Sequence, residues 1–269
     1  MAVERGSVQG PDSESLPLGF RDVDATIPDK FIRCLDTLQQ MESGQRYKER
    51  ALDHLQLRPE SSALDVACGL GDDVVRMKAR CGRAVGIDLS ETFLTHARKR
   101  HGADCEFGQG SAKGLPFPNA TFDAVRIDRS LQHIDGPGQV VREMARVAKP
   151  GGVVLCAEPD WGTFLIGGPY SEITERVQRE WIGRFRNPWI GRELSTLLAD
   201  AGVVDIRWEG HWLSTLGFEE SELLFGIEAT ARELSGEIPD VLNWLDSYRQ
   251  SEAYAGVLLL ICWGRRSST

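Results

Sequence analysis

One short stretch constrains this chain more than any other. Ala63-Leu64-Asp65-Val66-Ala67 is an apolar run of strand length that ends in Cys68-Gly69-Leu70-Gly71, and Asp72 to Ala79 then resumes with apolar residues at helical spacing. A strand that feeds a helix through two glycines permits a tight turn. It also lets main-chain N–H groups approach a ligand with no Cβ in the way, at a helix start that attracts anionic groups. Arg83-Ala84-Val85-Gly86-Ile87-Asp88 follows as a second strand and closes one βαβ unit with a carboxylate at its end. Two carboxylate oxygens can accept from both hydroxyls of a ribose, so turn and acid together fit a nucleotide-like cofactor. A dinucleotide fingerprint would place a third glycine three residues after Gly71, where Val74 stands instead.

The alternation continues downstream. Ser90 is placed to cap a helix running to Arg100, with Phe93, Leu94 and Ala97 facing inward. Cys105-Glu106-Phe107 is a short third strand and Phe122 to Ile127 a fourth. A helix over Gln139 to Ala148 follows, then a Lys149-Pro150-Gly151-Gly152 turn and a fifth strand over Val153 to Ala157. Strands alternating with helices predict a parallel sheet covered on both faces. Beyond it come a helix from Arg192 to Ala201, a strand near Val203 to Trp208, helices over Glu219–Leu234 and Pro239–Gln250, and a last strand over Gly256–Trp263.

The two ends of this repeat read differently. Residues 1–18 carry few large apolar groups and are expected to be a mobile tail. Residues 19–58 form a helical cap, with two helices from Pro28 to Leu57 that break near Ser43-Gly44 and place Phe31 inward. Residues 59–269 form the main domain. All seven tryptophans lie after Pro159, and residues 159–191 interrupt the strand-helix repeat as an insertion. Crowded there, Trp161, Phe164, Trp181 and Trp189 are candidate walls of a substrate pocket, although core packing explains an average tryptophan better.

The ordered motifs closely resemble the class I S-adenosylmethionine-dependent methyltransferases, particularly the ubiquinone/menaquinone-type branch that acts on small molecules. Leu64-Asp65-Val66-Ala67-Cys68-Gly69-Leu70-Gly71 looks like the first motif, with Ala67 where glycine is common, and Gly86-Ile87-Asp88-Leu89-Ser90 looks like the acid motif. Gly110-Ser111-Ala112-Lys113-Gly114-Leu115-Pro116-Phe117 resembles the adenine loop, with Ser111 where the family usually has aspartate. Leu131-Gln132-His133-Ile134 and Lys149-Pro150-Gly151-Gly152 complete the set. The resemblance implies a Rossmann-like, doubly wound α/β fold with a mostly parallel seven-stranded sheet and an antiparallel last strand. It further implies S-adenosyl-L-methionine held by Asp65, Ala67, Cys68, Gly69, Gly71, Asp88, Leu89, Gly110, Ser111, Ala112 and Asp128. Arg129, or Arg46 from the preceding helix, is the candidate for the methionine carboxylate.

Methyl transfer is an in-line displacement from a sulfonium, in which positioning supplies much of the acceleration and a base helps only an acceptor that must lose a proton. His133, just past the fourth strand, is the candidate general base, with Glu158 or Asp160 orienting its imidazole; packing of the following helix is an equally simple role for it. The expected reaction is O- or C-methylation of a small organic acceptor, an aromatic or natural-product intermediate. The alternatives are a fold that binds the same cofactor without methyl transfer (a cyclase or binding protein) and a nicotinamide oxidoreductase.

Composition narrows the partners. A net charge of −9 and a pI near 5.2 oppose a nucleic-acid partner, which needs a basic face. No apolar run is long enough to span a membrane, and the first residues lack a secretory pattern, so a cytoplasmic protein is expected; its oligomeric state is not readable. The six cysteines lie far apart with no ligand-spaced histidines, which predicts buried thiols and no metal site. His54, His96, His101 and His211 are expected at solvent-exposed positions.

Overall fold

The computed structural model describes Phe20, Asp24 and residues 28–168, 171–251 and 254–268. The expected tail over residues 1–18 lies outside them. Two helices come first, α1 (Pro28–Gln40) and α2 (Glu42–His54). The repeat then runs β1 (Ser62–Val66), α3 (Asp72–Lys78), β2 (Arg83–Asp88), α4 (Glu91–His101), β3 (Glu106–Gln109), β4 (Phe122–Asp128), α5 (Pro137–Val147) and β5 (Ala148–Ile166). After it come α6 (Glu172–Ile182), α7 (Ile190–Asp200), β6 (Val203–Leu216), α8 (Gly217–Phe225), α9 (Ile227–Glu233), α10 (Val241–Gln250) and β7 (Tyr254–Arg266).

The strands form one seven-stranded sheet in the order β3-β2-β1-β4-β5-β7-β6, parallel from β3 to β5, with β7 antiparallel to both of its neighbours. Strand β1 is the reason the helices must lie on both faces. Leu64, paired with Val85 on one side and Val125 on the other, and Val66 pack with α5 and α7, while Ala63 packs with α1, α2 and α3 on the opposite face. The strand order reverses between β1 and β4, so the crevice outside their carboxyl ends is where an open α/β sheet receives a ligand.

The structure departs from the sequence expectations in several places. The first two helices part at Met41, and Gly44 lies inside α2. A Cβ on Gly44 would stand 2.1 Å from the Leu38 carbonyl oxygen, so this glycine permits close helix contact rather than a break. Lys149 to Gly152 interrupt the β4–β5 register, which shifts between Phe122 and Ala124, while the strand resumes on both sides. Residues 159–166 are not an insertion but the continuation of β5 against β7; Pro159 is tolerated there because β4 ends at the Asp128–Ala157 pair and no neighbour on that side requires an N–H from it. Gly226, at φ 63°, divides the expected helix from 219 to 234 into α8 and α9.

Replacing Gly44 by alanine forces α1 and α2 apart. Gly44→Ala is expected to lower unfolding free energy by about 1–3 kcal/mol in urea titrations; unchanged stability would refute the close-contact role.

Candidate functional site

The turn after β1 is conformationally demanding: Ala67, Gly69 and Gly71 have φ values of 56°, 53° and 80°. Glycine adopts this region freely, whereas the Ala67 methyl makes it costly. The turn is fastened to β2 by Cys68 N donating to Ile87 O (3.0 Å) and Gly69 N donating to Asp88 Oδ2 (2.8 Å). Ser90 N donates to Asp88 Oδ1 (2.9 Å). Each Asp88 oxygen thus holds one main-chain N–H and keeps acceptor capacity for a hydroxyl. Burial raises the Asp88 pKa, opposed by these same N–H groups. Ser90 caps α4 as expected, accepting from Phe93 N (3.1 Å), and its hydroxyl donates to Asp24.

A cavity of about 370 Å³ opens beside this turn, the size of a single small-molecule site. On one side it is lined by Gly110, Ser111, Ala112 and Leu89, a leucine 65% exposed to solvent. Ser111 Oγ accepts from Lys113 N (3.2 Å) within its own turn.

The other side rests on a buried charge network that sequence reasoning missed. Arg126, in the middle of β4 and 0% exposed, places Nη2 2.7 Å from Asp128 Oδ2, Nη1 3.0 Å from Asp73 Oδ2 and Nε 3.8 Å from Asp65 Oδ1. Lys48 of α2 bonds Asp73 and, at 3.0 Å, Asp128; the neighbouring Tyr47 hydroxyl also reaches Asp128 at 3.3 Å. Burial alone would raise Asp73 and Asp128, but Lys48 and Arg126 outweigh it and hold both below the usual carboxylate value. Asp65 receives less compensation and is repelled by the other two acids, so burial pushes it up to about 7. A detectable signal existed: an arginine inside an otherwise apolar strand requires buried partners.

Arg129, also with positive φ (51°), lines the cavity with a buried Nε that donates no hydrogen bond and lies 3.9 Å from Asp128 Oδ1. Arg46 is placed elsewhere. Its side chain is 66% exposed and paired with Glu42, because Tyr47 and Lys48 occupy the inward positions of α2.

His133 follows β4 and lines the same cavity, its ring between Phe20 (centroids 5.5 Å apart) and Phe185 (5.6 Å). Glu158, wholly buried, accepts from the N–H groups of Ser130 (2.8 Å), Leu131 (2.7 Å) and Gln132 (3.4 Å), so its support for His133 runs through the main chain. Burial pushes the Glu158 carboxyl up to about 8 against these bonds. Asp160 is turned to Arg192, which it holds through both oxygens at 2.7 and 2.9 Å. Neither acid lines the cavity.

The aromatic expectation is corrected. Phe31, Trp161, Phe164 and Trp181 are buried in the core, with Trp161 stacked on Phe185 at 4.6 Å and Phe164 on Trp181 at 4.5 Å. Trp189 is 44% exposed beneath Arg192. None of the five lines the cavity, whose aromatic residues among the described ones are Phe20, Phe93 and His133. Three histidines expected in solvent are also engaged: His54 stacks on Trp263 at 3.6 Å, His211 meets Glu209 at 2.8 Å, and His101 lies 3.1 Å from Leu70 O. All six cysteines are buried thiols. Among the described residues, no group of three or more His, Cys, Asp or Glu could hold a metal ion, and no helix is long and apolar enough to cross a membrane.

Residues 64–156 match the family described as "Methyltransferase domain". The chain belongs to the class I S-adenosylmethionine-dependent methyltransferases. A demethylmenaquinone methyltransferase of Bacillus cereus is 34% identical over 154 residues, 54% of this chain and 63% of that enzyme, so the match spans less than two thirds of the relative. An uncharacterised 37.1 kDa protein in transposon TN4556 of Streptomyces fradiae is 36% identical over 91% of this chain and 73% of its own. The fold is shared with the YcgJ protein from Bacillus subtilis, with a TM-score of 0.63 at 16% identity, covering 84% of this chain and all of that one.

The cofactor of this methyltransferase is S-adenosylmethionine, and the site fits it. Asp88 has spare acceptor capacity, Leu89 offers an exposed apolar surface, and the unbonded Arg129 Nε is a donor suited to a carboxylate.

The four acids set opposite pH dependences. Asp73 and Asp128 contribute stability that is present above an ordinary carboxylate pKa of about 4 and is lost as pH falls below it. Asp65 and Glu158 contribute stability complete below about pH 4 and lost as pH rises through about 7 and 8. Urea midpoints are therefore expected to peak at about pH 4 and to decline on both sides. A midpoint climbing steadily towards pH 9 contradicts these assignments.

Proposed function

We propose that this methyltransferase methylates a small organic acceptor at oxygen or carbon, with His133 taking the proton that the acceptor loses. The observation that carries this reading is the placement of His133 in the same cavity as the glycine turn and Asp88, between the rings of Phe20 and Phe185. When bound, S-adenosylmethionine supplies an electrophilic methyl group on a sulfonium. Asp88 would hold its ribose, Leu89 and the Gly110-Ser111-Ala112 turn its adenine, and Arg129 its carboxylate. Asp65, Asp73 and Asp128, which line the same cavity, would accept from its ammonium. The chain's residues align the reactants and exclude water, and the imidazole accepts a proton.

The acceptor side is lined by Phe20, Leu35 and Ile134 besides His133, which suits a planar aromatic compound bearing an ionisable hydroxyl. The relatives named for demethylmenaquinone support such a ring. In this reading the helices within residues 19–58 roof the cofactor, and residues 159–191 support the acceptor side from behind.

The decisive assay incubates the full chain with S-adenosylmethionine and a panel of phenols and enolisable diketones, and detects S-adenosylhomocysteine together with a methylated product. Cofactor binding with no S-adenosylhomocysteine from any acceptor favours the alternative of a cofactor-holding fold without methyl transfer. For a hydroxyl acceptor, His133→Ala is expected to lower kcat by about 10²–10⁴-fold with cofactor affinity retained; near-normal turnover would leave positioning as the whole of catalysis. Asp88→Ala is expected to weaken S-adenosylhomocysteine binding at least about tenfold by calorimetry, the loss of roughly 1.4 kcal/mol. An unchanged Kd removes Asp88 from the ribose site.

A further inference from the structure

The turn that carries His133 has no regular structure to hold it and is fixed from two sides. Glu158 of β5 gathers three of its N–H groups, as described above. From the opposite side, Asn187, in the segment between α6 and α7, donates from Nδ2 to Leu131 O and to Ile134 O, both at 2.7 Å. Its own N–H donates to Gln132 O at 3.1 Å. Gln132 is locked in turn: Nε2 donates to Arg129 O (2.8 Å), and Oε1 accepts from Trp161 Nε1 (2.7 Å). Trp161 N donates to Pro188 O (3.0 Å), which ties the Asn187 segment back to β5.

The chemistry of this clamp is specific. The carbonyls that Asn187 holds belong to residues on either side of His133 in the chain, and a carboxamide nitrogen carries two hydrogens, so one short side chain satisfies both. Aspartate, of the same shape, has no donor and would set a carboxylate oxygen against two carbonyl oxygens. The same segment also supplies Phe185, beside the His133 ring, and Arg186 on the cavity wall.

We propose that Asn187 is a positioning residue for His133: through its two side-chain hydrogen bonds, the segment between α6 and α7 sets where the imidazole stands in the acceptor side of the cavity. What the imidazole does there rests on the function proposed above. Where it stands does not.

The test is therefore a placement measurement that needs no acceptor. In the full chain saturated with S-adenosylhomocysteine and labelled at histidine, the His133 ring signal is assigned by its loss in His133→Ala. In Asn187→Ala this signal is expected to shift away from the position imposed by the Phe20 and Phe185 ring currents, towards that of an unconstrained histidine. The signals of His54, His96, His101 and His211 and the ligand affinity stay as they were. Asn187→Asp is expected to give the same shift, and Asn187→Ser, which keeps one donor, a smaller one; these serve if the alanine variant does not fold. A His133 signal that stays in place in any folded variant lacking both donors overturns the proposal. Full turnover in His133→Ala would instead remove the general base and leave the placement result standing.

Discussion

The site depends on the buried charges around Arg126. Four elements converge there: α2 brings Lys48, β1 brings Asp65, α3 brings Asp73, and β4 brings Arg126 and Asp128. Charges removed from water are costly unless paired, and pairing here needs every one of these elements in place. The network is therefore weak as a source of net stability but strong as a specifier of geometry. It fixes the packing of α2 against β1, α3 and β4 and thereby one wall of the cavity. The unequal fates of its acids follow from the same arrangement: the cations sit nearest Asp73 and Asp128, and Asp65, farther from Arg126, is left to take a proton.

Around that fixed floor, the loops at the strand ends are each held by a carboxylate. Asp88 fastens the glycine turn, Asp24 receives Ser90 and Glu91 at the start of α4, and Glu158 gathers the turn of His133. A loop at the edge of a parallel sheet leaves N–H groups that the ladder does not use, and a carboxylate can accept several at once. This is how irregular backbone can be held as firmly as the sheet beneath it.

The central sheet was legible in the sequence because its signals are local. Apolar runs of strand length, helical spacing between them, the Ser90 cap and the Gly69-Leu70-Gly71 turn each operate over a few residues. The structure brings Gly69, Asp88, Ser111 and His133 to one cavity because the strand order demands it. What could not be read depends on residues distant in the chain. Lys48 falls at helical spacing from the inward Ala51, Leu52 and Leu55, but its charge alone reads as a surface residue, and only the folded chain shows it facing Asp73 and Asp128. Trp161, Trp181, Trp189 and Phe164 read as cavity walls in the sequence because crowding along the chain cannot distinguish a wall from the packing behind it. Strands β5, β6 and β7 run longer than expected because antiparallel pairing continues past the end of β4, which no local period reveals.

Among the seven tryptophans, Trp161 occupies a singular place. Its indole N–H ends on Gln132, one residue from His133, and its ring is shielded from solvent, whereas Trp189, Trp208 and Trp212 stand well exposed. Emission from a buried indole responds to the polarity and motion of its immediate neighbours. The buried indoles of Trp161 and Trp181, 4.7 Å apart, are therefore expected to emit to the blue of the surface tryptophans, and of the two it is Trp161 whose hydrogen bond leads to the residue beside His133.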